Sequence, residues 1–272
     1  MKKLLAGLLI LASTSAFAAT TVKSYDMYAP TRASFDFGAG LGLNLGSYEA
    51  GPVKTDTSGF GLGFELAYGI MDNLAVYGEQ GYWAYENKTG PATSKQNGLT
   101  NTTVGVKGIY GFDNMFAYYD ASYTTALLGK AKTDAAFAVR PVLSLTGGFG
   151  ADIQAFGLGA MLGFDMYQDG DFDNGTTTVK YKSGSGMRYK VYGQYQPSWK
   201  VGLSYENVSI DSHDVGPINV AKSEGNIISV YGIIPINAES NILASLNKPS
   251  TTSPSGTTNS NYTLEAKYLL NF

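Results

Sequence analysis

Apolar side chains recur at every second position through most of the chain. From Phe35 they occupy Phe35, Phe37, Ala39, Leu41, Leu43 and Leu45, against Asp36, Gly38, Gly40, Gly42 and Asn44. From Phe60 they take the even positions to Ile70, against Gly61, Gly63, Glu65, Ala67 and Gly69. A third run is Phe156, Leu158, Ala160, Leu162, Phe164 and Met166. The last one ends the chain: Tyr262, Leu264, Ala266, Tyr268, Leu270 and Phe272 alternate with Asn261, Thr263, Glu265, Lys267, Leu269 and Asn271. A period of two is that of a strand whose faces meet different media. Carried along the chain, it predicts twelve strands, at 34–46, 59–70, 74–86, 99–111, 115–127, 141–150, 155–167, 186–196, 199–210, 225–235, 240–248 and 261–272. Each is about as long as the roughly 9–11 residues that a tilted strand needs to cross a bilayer. Two stretches, YGEQGYWAYE and IISVYGIIPI, break the alternation.

The connections alternate in length. Short ones fall at 71–73, 112–114, 151–154, 196–198 and 236–239; long ones at 47–58, 87–98, 128–140, 168–185, 211–224 and 249–260. Short turns at one end and long polar segments at the other are what an antiparallel meander across a membrane produces, with both termini on the short-turn side. In a bilayer every backbone N–H and C=O must be paired within the protein, so such a sheet has to close on itself. The expected fold is therefore all-β: a transmembrane antiparallel up-and-down barrel of about twelve strands, with its apolar faces toward lipid.

Lys2 and Lys3, the apolar run Leu4 to Ala12 and the small-residue sequence Ala16-Phe17-Ala18 have the three parts of a secretory signal peptide. The chain then divides into a signal at 1–18, an N-terminal segment at 19–33 that either enters the barrel or lies on its periplasmic rim, and the barrel at 34–272. Removing the signal takes two lysines and moves the formal charge from 19 − 22 = −3 to 17 − 22 = −5. That balance gives no reason to expect nucleic acid as a partner. The chain has no cysteine, so an exported form draws its stability from hydrogen bonding and packing. Its 20 Tyr and 34 Gly favour strands and turns over helices.

With a signal peptide, Tyr- and Gly-rich alternating strands and a terminal Phe272 preceded by apolar residues at every second position, the chain resembles the Gram-negative outer-membrane β-barrel family, small porin-like type. The resemblance covers nearly all of the residues after 18 and is to an architecture. It implies an outer-membrane location, outer-membrane lipid and the barrel assembly machinery as partners, and an assembly signal on Tyr268, Leu270 and Phe272. It also leaves a homo-oligomer open. A soluble β-sandwich is disfavoured, because the faces opposite the apolar ones are built of glycine and charge instead of a second core.

The alternation places Asp36, Glu65, Glu79, Asp120, Asp165, Glu206 and Glu265 inside, together with Lys107, Arg188, Lys190, Lys200 and Lys267. On the lipid face each charge would cost about 2–4 kcal/mol at the midplane. Two readings stand open: these charges line a water path for small polar solutes or ions, or they pair across the lumen and fill it. Inward glycine argues for room; inward Tyr77, Trp83, Tyr118 and Tyr192 argue for constriction. The corresponding functions are passive diffusion and, alternatively, a plugged structural or surface-interaction barrel. Neither requires a cofactor.

Enzyme chemistry has little to stand on. The one histidine, His213, lies between Ser212 and Asp214, but adjacent residues on an extended backbone point apart, whereas a triad needs a chain of hydrogen bonds. Asp169, Asp171 and Asp173 resemble the start of a calcium loop, yet Asn174 stands where glycine is usual, Gly175 comes one place late, and Lys180 replaces the bidentate acid. The stretch 247–261 is low in complexity and reads as an outer loop. The strands at 225–235 and 240–248 are apolar on both faces, so either an inner segment covers their lumenal side or the bounds of these strands lie elsewhere.

Overall fold

The computed structural model describes residues 20–50, 52–125, 141–173, 178–182, 184–215, 218–252 and 258–272. The expected signal peptide lies outside them. A short hairpin comes first, β1 (Thr20–Val22) paired with β2 (Tyr28–Pro30). The wall then begins with β3 (Phe35–Ala50), β4 (Val53–Met71), β5 (Leu74–Thr89), β6 (Ala92–Phe112), β7 (Met115–Thr125), β8 (Val142–Ile153) and β9 (Phe156–Tyr167). After the short strands β10 (Gly170–Asp173) and β11 (Thr178–Tyr181) come β12 (Gly184–Tyr195) and β13 (Lys200–Ile210). Two more short strands, β14 (His213–Val215) and β15 (Ile218–Val220), precede β16 (Ser223–Asn237), β17 (Ser240–Thr252) and β18 (Thr258–Asn271).

Twelve of these, from β3 round to β18, form one closed antiparallel barrel. Closure joins the two ends of the wall. β18 pairs with β3 from Thr258↔Glu49 to Asn271↔Asp36, and Phe35 and Phe272 then exchange backbone hydrogen bonds of 2.7 and 2.9 Å. Their rings stack at 6.0 Å. The Phe35–Phe272 pair extends the seam one residue past the ladder, so the start of β3 keeps its backbone partners. Tyr268 and Leu264 face outward on the same strand.

The outer surface is an apolar belt that includes Leu41, Leu43, Phe64, Leu66, Leu158, Leu162, Leu203 and Val230. Toward the short-turn end it is rimmed by aromatic contacts, Phe112 with Tyr110 and Phe149, and Phe156 with Tyr195. That is the arrangement of an interfacial girdle. Leu41, 63% exposed in the middle of β3, gives a direct check. Leu41→Arg is expected to lower the folding free energy in lipid vesicles by about 2–4 kcal/mol, measured by denaturant titration. A change within error would remove this face from the hydrocarbon.

The structure corrects several of the expected loops. Residues 47–50, 53–58, 87–89 and 92–98 are strand: β3 and β4 stay paired to Ala50↔Val53, and β5 and β6 to Thr89↔Ala92, where Gly90 (φ 56°) sits in the left-handed region that favours glycine. Stretches such as KTDTS and TSKQN meet water on both faces, so the apolar alternation vanishes while the ladder continues on β-branched threonine. Residues 168–185 and 211–224 include β10, β11, β14 and β15, which form a separate four-stranded sheet. In the stretch 247–261, β17 and β18 pair from Asn247↔Thr263 to Thr252↔Thr258, with a gap in the ladder at 248–249.

The irregular stretch around YGEQGYWAYE also has a cause. Gln80 pairs with Thr102 but Tyr82 pairs with Leu99, so Gly81 opposes two residues of β6. A bulge of this kind shifts the inward parity of β6, from Thr103, Gly105 and Lys107 on one side of it to Gly98, opposite Trp83, on the other.

Candidate functional site

The segment before the barrel lies inside it. Ala33 (φ 59°) turns the chain at the short-turn rim, where its N–H donates to the Gly69 carbonyl at 2.8 Å. From there β2 rises into the lumen, the chain reverses through Tyr25, Asp26 and Met27, and β1 descends on the other side. Lys23 N–H donates to the Met27 carbonyl at 2.8 Å across this reversal. Met27, Tyr28 and Ala29 are buried, and they form one apolar cluster with Ile109, Phe116, Tyr118, Tyr192, Tyr231, Ile233, Leu243 and Leu269 of the inner wall. Tyr25 packs on Tyr231 of β16 at 6.0 Å. The inner apolar face of β16 and β17 is thus the wall side of a core whose other side is the hairpin.

Polar contacts tie the hairpin to opposite walls. The Tyr28 hydroxyl donates to Glu65 of β4, while Lys107 of β6 and Lys267 of β18 both pair with the same carboxylate. Lys107 Nζ also sits 3.9 Å from the centre of the Tyr28 ring. On the far side Asp26 pairs with Lys190 of β12 at 2.7 Å, and Lys23 with Asp152 of β8 at 2.8 Å. Gln194 donates to the Lys23 carbonyl and Lys200 to the Val22 carbonyl, each at 2.7 Å. A hairpin satisfied this way on both flanks is fixed inside the barrel.

The twelve charges singled out from the sequence fall on the inner side of the wall and divide into groups. Glu65, Lys107 and Lys267 form the central cluster, with Glu79 in register beside Glu65. Arg188 forks onto Asp165 at 3.0 and 3.1 Å, and Ser144 adds a 2.7 Å bond to the same carboxylate. Lys190 reaches Glu206 at 3.7 Å as well as Asp26. Asp36 accepts from Asn271 at 2.5 Å, and Asp120 from Tyr118 at 3.4 Å. Glu265 accepts from Tyr25 at 3.1 Å and from Asn247 at 3.3 Å. Lys200 is at the short-turn level, serving the hairpin.

The inward aromatics are equally divided. Tyr118 and Tyr192 are buried in the hairpin core, and the Tyr77 ring lies 4.8 Å from Lys107 Nζ. Trp83 stands higher, beside Tyr85, with ring centres 5.5 Å apart and planes at 10°. The expectation that inward glycine leaves open room is corrected at most positions. A Cβ at Gly61 or Gly42 would come within 2.5 or 2.8 Å of the Trp83 indole; at Gly159 within 2.5 Å of Tyr192; at Gly202 within 2.3 Å of Tyr231. These glycines let large rings lie flat on the wall. At Gly63 a Cβ would meet nothing within 4 Å, and here the floor is bare. Above the hairpin tip a cavity of about 300 Å³ opens, bordered by Tyr25, Gly63, Glu65, Glu79, Trp83, Glu265 and Lys267.

The remaining candidates separate from this site. Asp214 pairs with Lys182 at 3.0 Å and accepts from Asn219 at 2.8 Å, contacts that hold its carboxyl below the usual range. His213 Nδ1 lies 3.2 Å from the Asp211 carbonyl oxygen. At the calcium candidate, Asp171 pairs with Lys180 and Asp173 with Thr178 along the ladder of β10 and β11. Asn174 and Gly175 lie outside the described residues. Sequence reasoning passed over Lys23, Tyr25, Asp26, Met27 and Tyr28. Their one signal was negative, a tyrosine-containing stretch without alternation.

No family model matches the chain, and no curated protein is similar to it. Solved structures are similar in fold. An outer-membrane channel from Pseudomonas putida F1 superposes with a TM-score of 0.70 at 14% identity, over 93% of this chain and all of that one. The translocator domain of the autotransporter NalP from Neisseria meningitidis gives 0.53 at 10% identity, over 100% and 95%. The transport unit of the autotransporter AIDA-I from Escherichia coli gives 0.53 at 12%, over 97% of each. The fold is that of the Gram-negative outer-membrane β-barrels, here with twelve strands and the N-terminal segment folded into the lumen.

Proposed function

We propose that this protein is an outer-membrane channel for small polar solutes or ions, narrowed by its own N-terminal hairpin. The observation that carries the reading is the lumen itself, a polar vestibule with charges of both signs standing over a folded-in plug. Solutes enter from the end opposite the short turns and pass beside the hairpin, where paired charges replace part of their hydration. The reading includes export by the signal peptide, insertion among outer-membrane lipids by the barrel assembly machinery through the terminal strand, and no catalytic step. Association with further copies is left to the outer wall.

Conductance of the refolded protein in a planar bilayer tests it. Discrete, reproducible steps are expected, and a folded barrel that never conducts would end the reading. Arg188 and Lys190 border a lumenal cavity with Asp26 and Glu206. Neutralising both, Arg188→Gln with Lys190→Gln, is expected to move the reversal potential in a salt gradient toward cations. An unmoved potential takes these residues out of the path.

A second reading is favoured by the hairpin's ties to opposite walls: a barrel with a sealed lumen that acts through its outer wall or through the sheet of β10, β11, β14 and β15. It predicts that conduction is absent with the hairpin present and begins only when it is removed.

A further inference from the structure

We infer that the vestibule holds a binding site for a small organic cation, an ammonium with an apolar body, seated on Trp83 and held by Glu79 and Glu265. The inference deepens the channel reading and rests on it for access to the lumen.

The site is built along one cross-strand row. Glu265 of β18 pairs in register with Gly42 of β3, Gly42 with Gly61 of β4, and Gly61 with Trp83 of β5. The indole crosses the two glycines, reaching Gly61 with its ring fusion and Gly42 with its outer edge. Its far edge is thereby directed toward the strand that carries Glu265, and one of its faces lies on the wall. The other face borders the cavity of about 300 Å³, with Tyr85 stacked alongside at 5.5 Å. One row nearer the hairpin tip, the bare floor at Gly63 separates this platform from Glu65 and Glu79.

The charges choose the ligand. Three carboxylates, Glu65, Glu79 and Glu265, border the cavity with Lys267, and Lys107 pairs with Glu65 from behind the lining, so the acids exceed the ammonium groups by one. Glu65 is taken by Lys107 and Lys267; among the described ion pairs, Glu79 and Glu265 have no cation. A cavity with an excess carboxylate and a half-buried indole in its lining attracts a cation twice, through the carboxylates and through the ring's quadrupole, and the attraction grows as water is displaced. A neutral sugar would use the indole but gain nothing from the excess carboxylate. An anion would be repelled.

The chain has two tryptophans, and Trp199 is exposed at the short-turn rim, so Trp199→Phe leaves Trp83 as the sole indole reporter. Choline is the probe; 3,3-dimethylbutanol, of the same shape without charge, and maltose are the comparisons. Choline is expected to change Trp83 emission saturably, with affinity about tenfold above that of the neutral isostere, and Glu79→Gln with Glu265→Gln is expected to remove about that factor. Calorimetric titration of the unmodified protein with choline and its isostere gives the same comparison if a variant fails to fold. Equal binding of the two, saturable binding of maltose in place of choline, or no response to choline overturns the site. Conductance steps without choline binding would overturn this inference and leave the channel standing; choline binding without steps would do the reverse.

Discussion

Deleting residues 20–31 is expected to raise single-channel conductance several-fold and to remove most of the difference between a plugged and an open barrel. The hairpin is the element that fills the short-turn half of the lumen, and its contacts run from Glu65 on one wall to Lys190, Asp152 and Lys200 on the other. The same deletion is expected to cost stability. Met27 and Tyr28 are buried among the inner wall's apolar side chains, and burial of such a side chain contributes about 1.5–3 kcal/mol. Planar-bilayer recording and denaturant titration in vesicles, run on the same protein, separate the two effects. Unchanged conductance would mean that solutes travel by a route the hairpin does not obstruct, and the proposed function would have to move off the lumen. A large conductance seen only after deletion would favour the sealed-barrel reading.

The second large effect is expected at Glu65. Its side chain is 2% exposed, that of Lys107 is 4% exposed, and Lys267 pairs with the same carboxylate. Glu65→Ala would leave two ammonium groups facing each other and the Tyr28 ring without the anion that balances them. Removing one partner of a buried pair typically costs about 3–5 kcal/mol, and here the cost falls on Lys107, whose buried ammonium loses its paired carboxylate, while Glu79 and the cavity relieve Lys267 in part. The expected result is a loss of that size, read as a lower midpoint of unfolding, together with an increase in open-channel current as Tyr28 loses its anchor. The combined change Glu65→Leu, Lys107→Met and Lys267→Met is expected to recover most of the stability, since apolar residues of similar volume remove the buried charge instead of orphaning it. Recovery of stability without recovery of the narrow conductance would show that the cluster holds the hairpin and is not merely tolerated. A loss within error for Glu65→Ala would place water in the cluster and weaken the case for a fixed plug.

The alternation carried most of the fold. Phe35 to Leu45, Phe60 to Ile70 and Tyr262 to Phe272 each read as a wall with one apolar face, and each is such a wall. The reading failed where that asymmetry is lost. Thr55 and Thr57, or Lys88 and Asn87, sit in paired strand beyond the apolar belt, where polar residues serve both faces. It also failed at the bulge opposite Gly81, because two residues of β6 facing one of β5 is a property of the pair and not of either sequence. The candidate site was legible in part: a charge on the inner face is recorded in its parity, but the partner it finds depends on where the ring brings distant strands. Glu65 and Lys267 are 202 positions apart and meet only after the barrel closes.

By itself, then, the sequence determined that this is a barrel, which strands make its wall and, away from the bulge opposite Gly81, which face of each regular strand turns inward, since period-two alternation is a local consequence of placing each strand between lipid and lumen. Only the tertiary structure decided how that lumen is used. The hairpin of Thr20 to Pro30 enters it, the inward glycines are covered by Trp83, Tyr192 and Tyr231, and Glu65 draws Lys107, Lys267 and Tyr28 to one point. None of these leaves a period in the chain. Each is a contact between residues that only the closed ring brings together, and a buried charge or ring settles against whichever partner the opposite wall supplies.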